Sequence, residues 1–126
     1  MRPLSTAELE DYARGLRARD ARQEARDAAY VESVQSRFET AVNCLVREFA
    51  VSSVILFGSF AQNKACEGSD VDLLITGLAV HRLIDATLAV EKHLYPAHVD
   101  LVPREIARPA ILKRALAEGK ILYEKP

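Results

Sequence analysis

The chain has 126 residues, 49% of them apolar and 28% charged, with a formal net charge of -1. That length supports one hydrophobic core and not two comfortable ones, and the near-neutral charge supplies no electrostatic drive toward DNA or RNA. Cys44 and Cys66 show neither a C-x-x-C spacing nor a neighbouring histidine pair, so they read as reduced structural thiols and give no sign of a zinc site or disulfide framework.

In chain order, Ser5 and Glu8 fit an S-x-x-E capping box, and Leu9, Tyr12 and Leu16 follow at helical spacing, so a helix is expected from about Thr6. From Arg17 to Ala29 the apolar positions shrink to alanine among charged residues; from Val31 a strong stripe returns as Val34, Phe38, Val42, Leu45 and Phe49. One unbroken rod to Phe49 would be ~65 Å long. A long or two-piece helix is therefore expected, with Gly15 a weak point and the N-terminal part projecting, available to another chain.

After Phe49 the pattern changes to short β-branched runs, "SSVILF" ending at Gly58, "VDLLI" before Thr76, and "HVDLV" ending at Pro103. A helix lies between the second and third runs and stops at Tyr95 and Pro96. Beyond Pro103 a short helix, a second helix from about Pro109 to Glu118, a Gly119 cap and a last strand "ILY" are expected. No window approaches the ~20 apolar residues that span a bilayer, so a soluble, cytoplasmic protein is expected. Alternating helices and short buried strands give an α/β fold, a small central mixed β-sheet flanked by helices, with a long N-terminal helical extension.

The chemistry concentrates in "LFGSFAQNKACEGSDVDLLI". Asp70 and Asp72 are two apart at the start of a strand and project from one face, opposite Val71, Leu73 and Ile75. If "HVDLV" lies beside this strand in matching orientation, Asp100 adds a third carboxylate. Three such anions repel one another unless a cation sits among them. An oxygen-only set suits magnesium or manganese and not zinc. Because magnesium keeps waters and takes phosphate oxygens as ligands, a nucleoside triphosphate is the natural occupant. Gly58 then lets the backbone approach, and with Ser59 it leads into amides at the start of a helix "SFAQN" that can hold phosphate oxygens. A Lys-Ser or Lys-Thr P-loop is excluded by pattern.

These residues, Gly-Ser, ten positions, then Asp-x-Asp, together with "ILFGS" and "SDVDLLI", resemble the minimal nucleotidyltransferase (MNT) branch of the polymerase-beta-like nucleotidyltransferase superfamily. The resemblance covers roughly residues 52–123. It implies that Gly58 and Ser59 contact the triphosphate of ATP, that Asp70 and Asp72 bind two Mg2+ ions, and that Asp100 completes one metal site and helps to deprotonate the attacking hydroxyl. It further implies an antitoxin that transfers AMP to a tyrosine of a HEPN-type ribonuclease toxin. The sequence departs from the branch at Gln62 and Asn63, where relatives often carry Arg-Gly.

On this reading residues 1–50 form a helical, partner-docking extension and residues 51–126 the nucleotidyltransferase domain. Two further readings stand beside it. One is a catalytically weak antitoxin that neutralises its partner by binding alone. The other, transfer to a small acceptor, is disfavoured by the shortness of the chain. His98 shares the side of Asp100 and is a weaker candidate for the nucleotide, while Lys113 and Arg114 read as a solvated helix face.

Overall fold

The structure, a computed structural model, describes residues 2–126. Helix α1 (Thr6–Gln35) starts where the capping box puts it. The Ser5 hydroxyl accepts from the Glu8 amide at 3.2 Å and lies 3.1 Å from the Glu8 carboxylate, satisfying a donor that the first turn would otherwise leave free. Of its 30 residues only Val34 is buried. Leu9, Tyr12 and Leu16, the apolar residues of the first turns, are 52%, 62% and 40% exposed.

The expected break occurs at Ser36 and Arg37 and not at Gly15, which lies inside α1. Ser36 Oγ donates to the Ser33 carbonyl at 2.8 Å. The Arg37 guanidinium donates both to that carbonyl, at 3.0 Å, and to the His93 carbonyl, at 2.9 Å. These side chains hold the corner after which α2 (Phe38–Phe49) begins. Helix α2 buries Ala41, Val42, Cys44, Leu45 and Phe49, and ends at Ala50 in a left-handed conformation, φ 53°.

Strands β1 (Ser53–Phe57) and β2 (Val71–Thr76) pair antiparallel, and β3 (Val99–Pro103) lies parallel to β2. Strand β4 (Lys120–Glu124) pairs antiparallel with β1, giving the order β3-β2-β1-β4, a mixed sheet as expected. A short 3-10 turn, Val80–Arg82, leads into α3 (Leu83–Leu94), and another, Arg104–Ile106, precedes α4 (Pro109–Glu118).

Strand parity then divides the sheet. Val54, Leu56, Val71, Leu73, Ile75, Val99 and Leu101 face α2 and α3, where Leu45, Val90 and Leu94 are fully buried among them. The opposite face is covered by α4 and the short segment before it, through a small cluster of Ile55, Phe57, Leu74 and Ala115, with Val102, Ala107 and Leu112 at its edge. Among the described residues no helix is long and apolar enough to cross a membrane.

Candidate active site

Asp72 and Leu74 are two apart on β2, so the Asp72 side chain stands on the thinly covered face, above α4's small cluster. The parallel register sets Asp72 against Asp100, while the antiparallel one sets it against Phe57, the residue before Gly58. Asp70 immediately precedes β2 and shares the parity of Asp72. The adjacency the sequence left conditional is thus met. Asp70 and Asp100 are exposed and Asp72 is half-buried. Burial pushes the Asp72 carboxyl above the ordinary carboxylate range; the Asp100 and Asp70 charges push the same way, and the Arg114 guanidinium opposes them.

Gly58 has φ +75°, and a Cβ built on it would collide with the Asp72 carboxylate. Glycine is needed here twice over, for the left-handed backbone and for the approach of a carboxylate to the main chain. The segment after it is not the helix expected over "SFAQN". It is a compact turn in which the Gln62 amide donates to the Gly58 carbonyl at 3.2 Å and the Lys64 amide to the Ser59 carbonyl at 2.9 Å. Asn63, at φ 58°, ends helical geometry after one turn. Among the described residues the amides of Ser59, Phe60 and Ala61 have no backbone partner. The turn therefore keeps the free donors expected of a helix start, beside the carboxylates.

Three residues bear on this end of the sheet in ways the sequence reading missed: Tyr30, Asp27 and Arg114. The Tyr30 hydroxyl, near the end of α1, donates to the Ser69 carbonyl at 2.7 Å. Asp27 Oδ1 accepts from the Glu67 amide at 2.9 Å, so α1 holds the loop that delivers Asp70. Burial raises the Tyr30 phenol above its usual range, with smaller contributions from the Asp70 and Cys66 charges. Arg114 is exposed, as its helix pattern suggests, but its guanidinium lies 5.9 Å from the centre of the Phe57 ring, at the acidic end of the sheet. Nothing in a linear pattern links positions 30 or 114 to Asp70 and Asp72; only the packing of α1 and α4 does. His98 is exposed, its Nδ1 3.9 Å from the Glu91 carboxylate of α3.

Three carboxylates without histidine or thiolate form a hard-oxygen set that fits magnesium and not zinc. Among the described residues no three His, Cys, Asp or Glu side chains stand close enough together to hold a metal ion. Magnesium in general keeps several waters and takes substrate oxygens as further ligands.

The sequence from residue 39 to residue 126 matches the family described as polymerase beta, nucleotidyltransferase. No curated protein sequence matches the chain. Solved structures share the fold, three of them as follows. One, described as a candidate minimal nucleotidyltransferase, is 28% identical with a TM-score of 0.59, over 71% of this chain and 93% of that one. A toxin-antitoxin protein crystallised with AMP-PNP is 22% identical with a TM-score of 0.62, over 70% and 74% of the two chains. A mutant of the MntA-HpeT toxin-antitoxin is 23% identical with a TM-score of 0.58, over 69% and 72%.

Proposed function

The chain belongs to the polymerase beta nucleotidyltransferase family, and from that premise we propose that it moves AMP from ATP onto a hydroxyl of a protein partner. The partner proposed is a HEPN-type ribonuclease toxin, the acceptor its tyrosine, and the role that of an antitoxin in the cytoplasm. The observation that carries the reaction is the register of Asp72 against Asp100, with Asp70 beside them and Gly58 closed over the Asp72 carboxylate. The toxin-antitoxin setting of the structural neighbours supports the partner.

In this reading Asp70, Asp72 and Asp100 would hold the magnesium ions, and the amides after Gly58, with Ser59, would hold phosphate oxygens. When bound, two such ions would activate the acceptor and neutralise charge on the departing oxygen. The acceptor oxygen forms its bond to the α-phosphorus as the bond from that phosphorus to the pyrophosphate oxygen breaks. The acceptor proton passes to the Asp100 carboxylate, which is exposed on the edge strand β3. Helix α1, largely exposed and tied at its far end to the Asp70 loop, is the docking arm within the extension of residues 1–50.

Incubation of the chain with ATP, magnesium and the product of the neighbouring gene, followed by weighing of that product, tests the reading. An adenylate mass gain is expected with wild type and none with Asp70→Ala plus Asp72→Ala. No gain with wild type, or an equal gain with the double variant, contradicts it. A second reading, an antitoxin that works by binding alone, is favoured by one contact: Gln62, at a position where relatives often carry arginine, is engaged by Glu118. If the double variant still neutralises the toxin in cells, binding is sufficient.

A further inference from the structure

Two contacts fix which way the free side of α4 looks. Gln62, in the turn after Gly58, donates to the Glu118 carboxylate, and the Arg114 guanidinium stands over the Phe57 ring at 5.9 Å. Residues 114 and 118 are one helical turn apart and share a face. That face therefore overlooks the end of β1, the Gly58 turn and the Asp72 carboxylate registered against Phe57. Glu118 is occupied by Gln62. Arg114 forms no ion pair among the described residues, and its distance to the ring lies at the outer limit, ~6 Å, at which a cation and an aromatic face attract. The guanidinium is thus near the acids yet held by none of them, and its exposed side chain is free to swing.

Resting on the nucleotidyltransferase reading, we propose that Arg114 binds the β- and γ-phosphates of the incoming nucleoside triphosphate. The amides of Ser59, Phe60 and Ala61 offer donors to the same anion from the sheet side, and Arg114 closes on it from the helix side. A triphosphate brings about four negative charges to a site already holding three carboxylates, so a cation supplied by the chain is needed in addition to divalent ions. A planar guanidinium engages two phosphate oxygens at once, which an ammonium does not. Arg114 in this role orients the leaving group and takes no part in proton transfer.

Calorimetric titration of the full chain with AMP-PNP and magnesium, and separately with AMP and magnesium, tests the assignment. AMP lacks the β- and γ-phosphates. Arg114→Gln is expected to weaken AMP-PNP binding by roughly 10- to 100-fold while leaving AMP binding unchanged, with Arg114→Lys intermediate. Because Arg114 is exposed, both variants should unfold at the wild-type temperature. Equal AMP-PNP affinity in wild type and Arg114→Gln overturns the assignment and leaves the enzymatic reading standing. A loss for AMP as large as that for AMP-PNP also overturns it. A wild-type chain that binds neither nucleotide overturns the nucleotidyltransferase reading, and this assignment with it.

Discussion

The two faces of the sheet are built for different ends. On one, α2 and α3 seal a core in which Leu45, Leu73, Val90 and Leu94 have almost no exposure. On the other, the ten residues of α4 cover three buried sheet side chains, Ile55, Phe57 and Leu74, and the strand ends beyond them carry Asp72 and Asp100. The alternation of a half-buried strand allows this division, since every second residue can serve stability while the ones between serve chemistry. The thick face holds the strands in register so that the thin face can tolerate carboxylates that repel one another.

Substitutions should separate the faces. The largest effect is expected from Asp70→Asn plus Asp72→Asn, which should slow adenylyl transfer by ~1000-fold or more, about 4 kcal/mol of barrier, with the urea midpoint unchanged or raised. A lowered midpoint would mean that the acids are structural. Leu73→Ala, one residue along on the thick face, should do the reverse. Loss of a buried leucine costs about 3 kcal/mol, read as an earlier urea midpoint, while the protein that remains folded transfers at nearly the wild-type rate.

Gly58→Ala touches both faces' interests. The left-handed backbone costs ~1 kcal/mol for a residue with a Cβ, and the new methyl must displace the Asp72 carboxylate. Transfer is expected to fall by ~10- to 100-fold, more than the modest loss in melting temperature would suggest. If stability falls and transfer does not, the glycine serves the turn alone.

How much of this was readable beforehand follows from which forces are local. The α1 cap, the proline that opens α4 and the parity that sets Asp72 opposite to Val71 and Leu73 depend on residues a few positions apart, and each appears in the structure as the sequence implies. The corner at Ser36 and Arg37 depends on the His93 carbonyl, 56 residues away, so Gly15 drew attention instead. The turn in place of a helix at Ser59 hinges on Asn63 adopting a left-handed conformation, a choice that the following loop makes and the helical propensity of "SFAQN" hides. Arg114 and Tyr30 reach the acidic end only through the docking of whole helices, which no spacing encodes.

The link between α1 and the acidic loop offers the smallest effect. Tyr30→Phe removes one hydrogen bond, to the Ser69 carbonyl, worth about 1 kcal/mol. It should lower transfer a few-fold by loosening Asp70 and barely move the melting temperature. An unchanged rate would show that α1 holds the loop without consequence for chemistry.

The claim on which these expectations depend is that Asp72 and its neighbours are arranged for a divalent cation and its nucleotide. Because burial and the neighbouring acids raise the Asp72 carboxyl, the folded chain retains a proton that the unfolded chain releases. Its contribution to stability is therefore present at low pH and lost as pH rises through the raised value. Thermal unfolding of wild type and Asp72→Asn, at about pH 7 and with and without magnesium and AMP-PNP, tests this directly. The account predicts that the variant alone melts at or above the wild-type temperature, and that magnesium with AMP-PNP raises the melting point of wild type but not of the variant. An equal rise in both would contradict it.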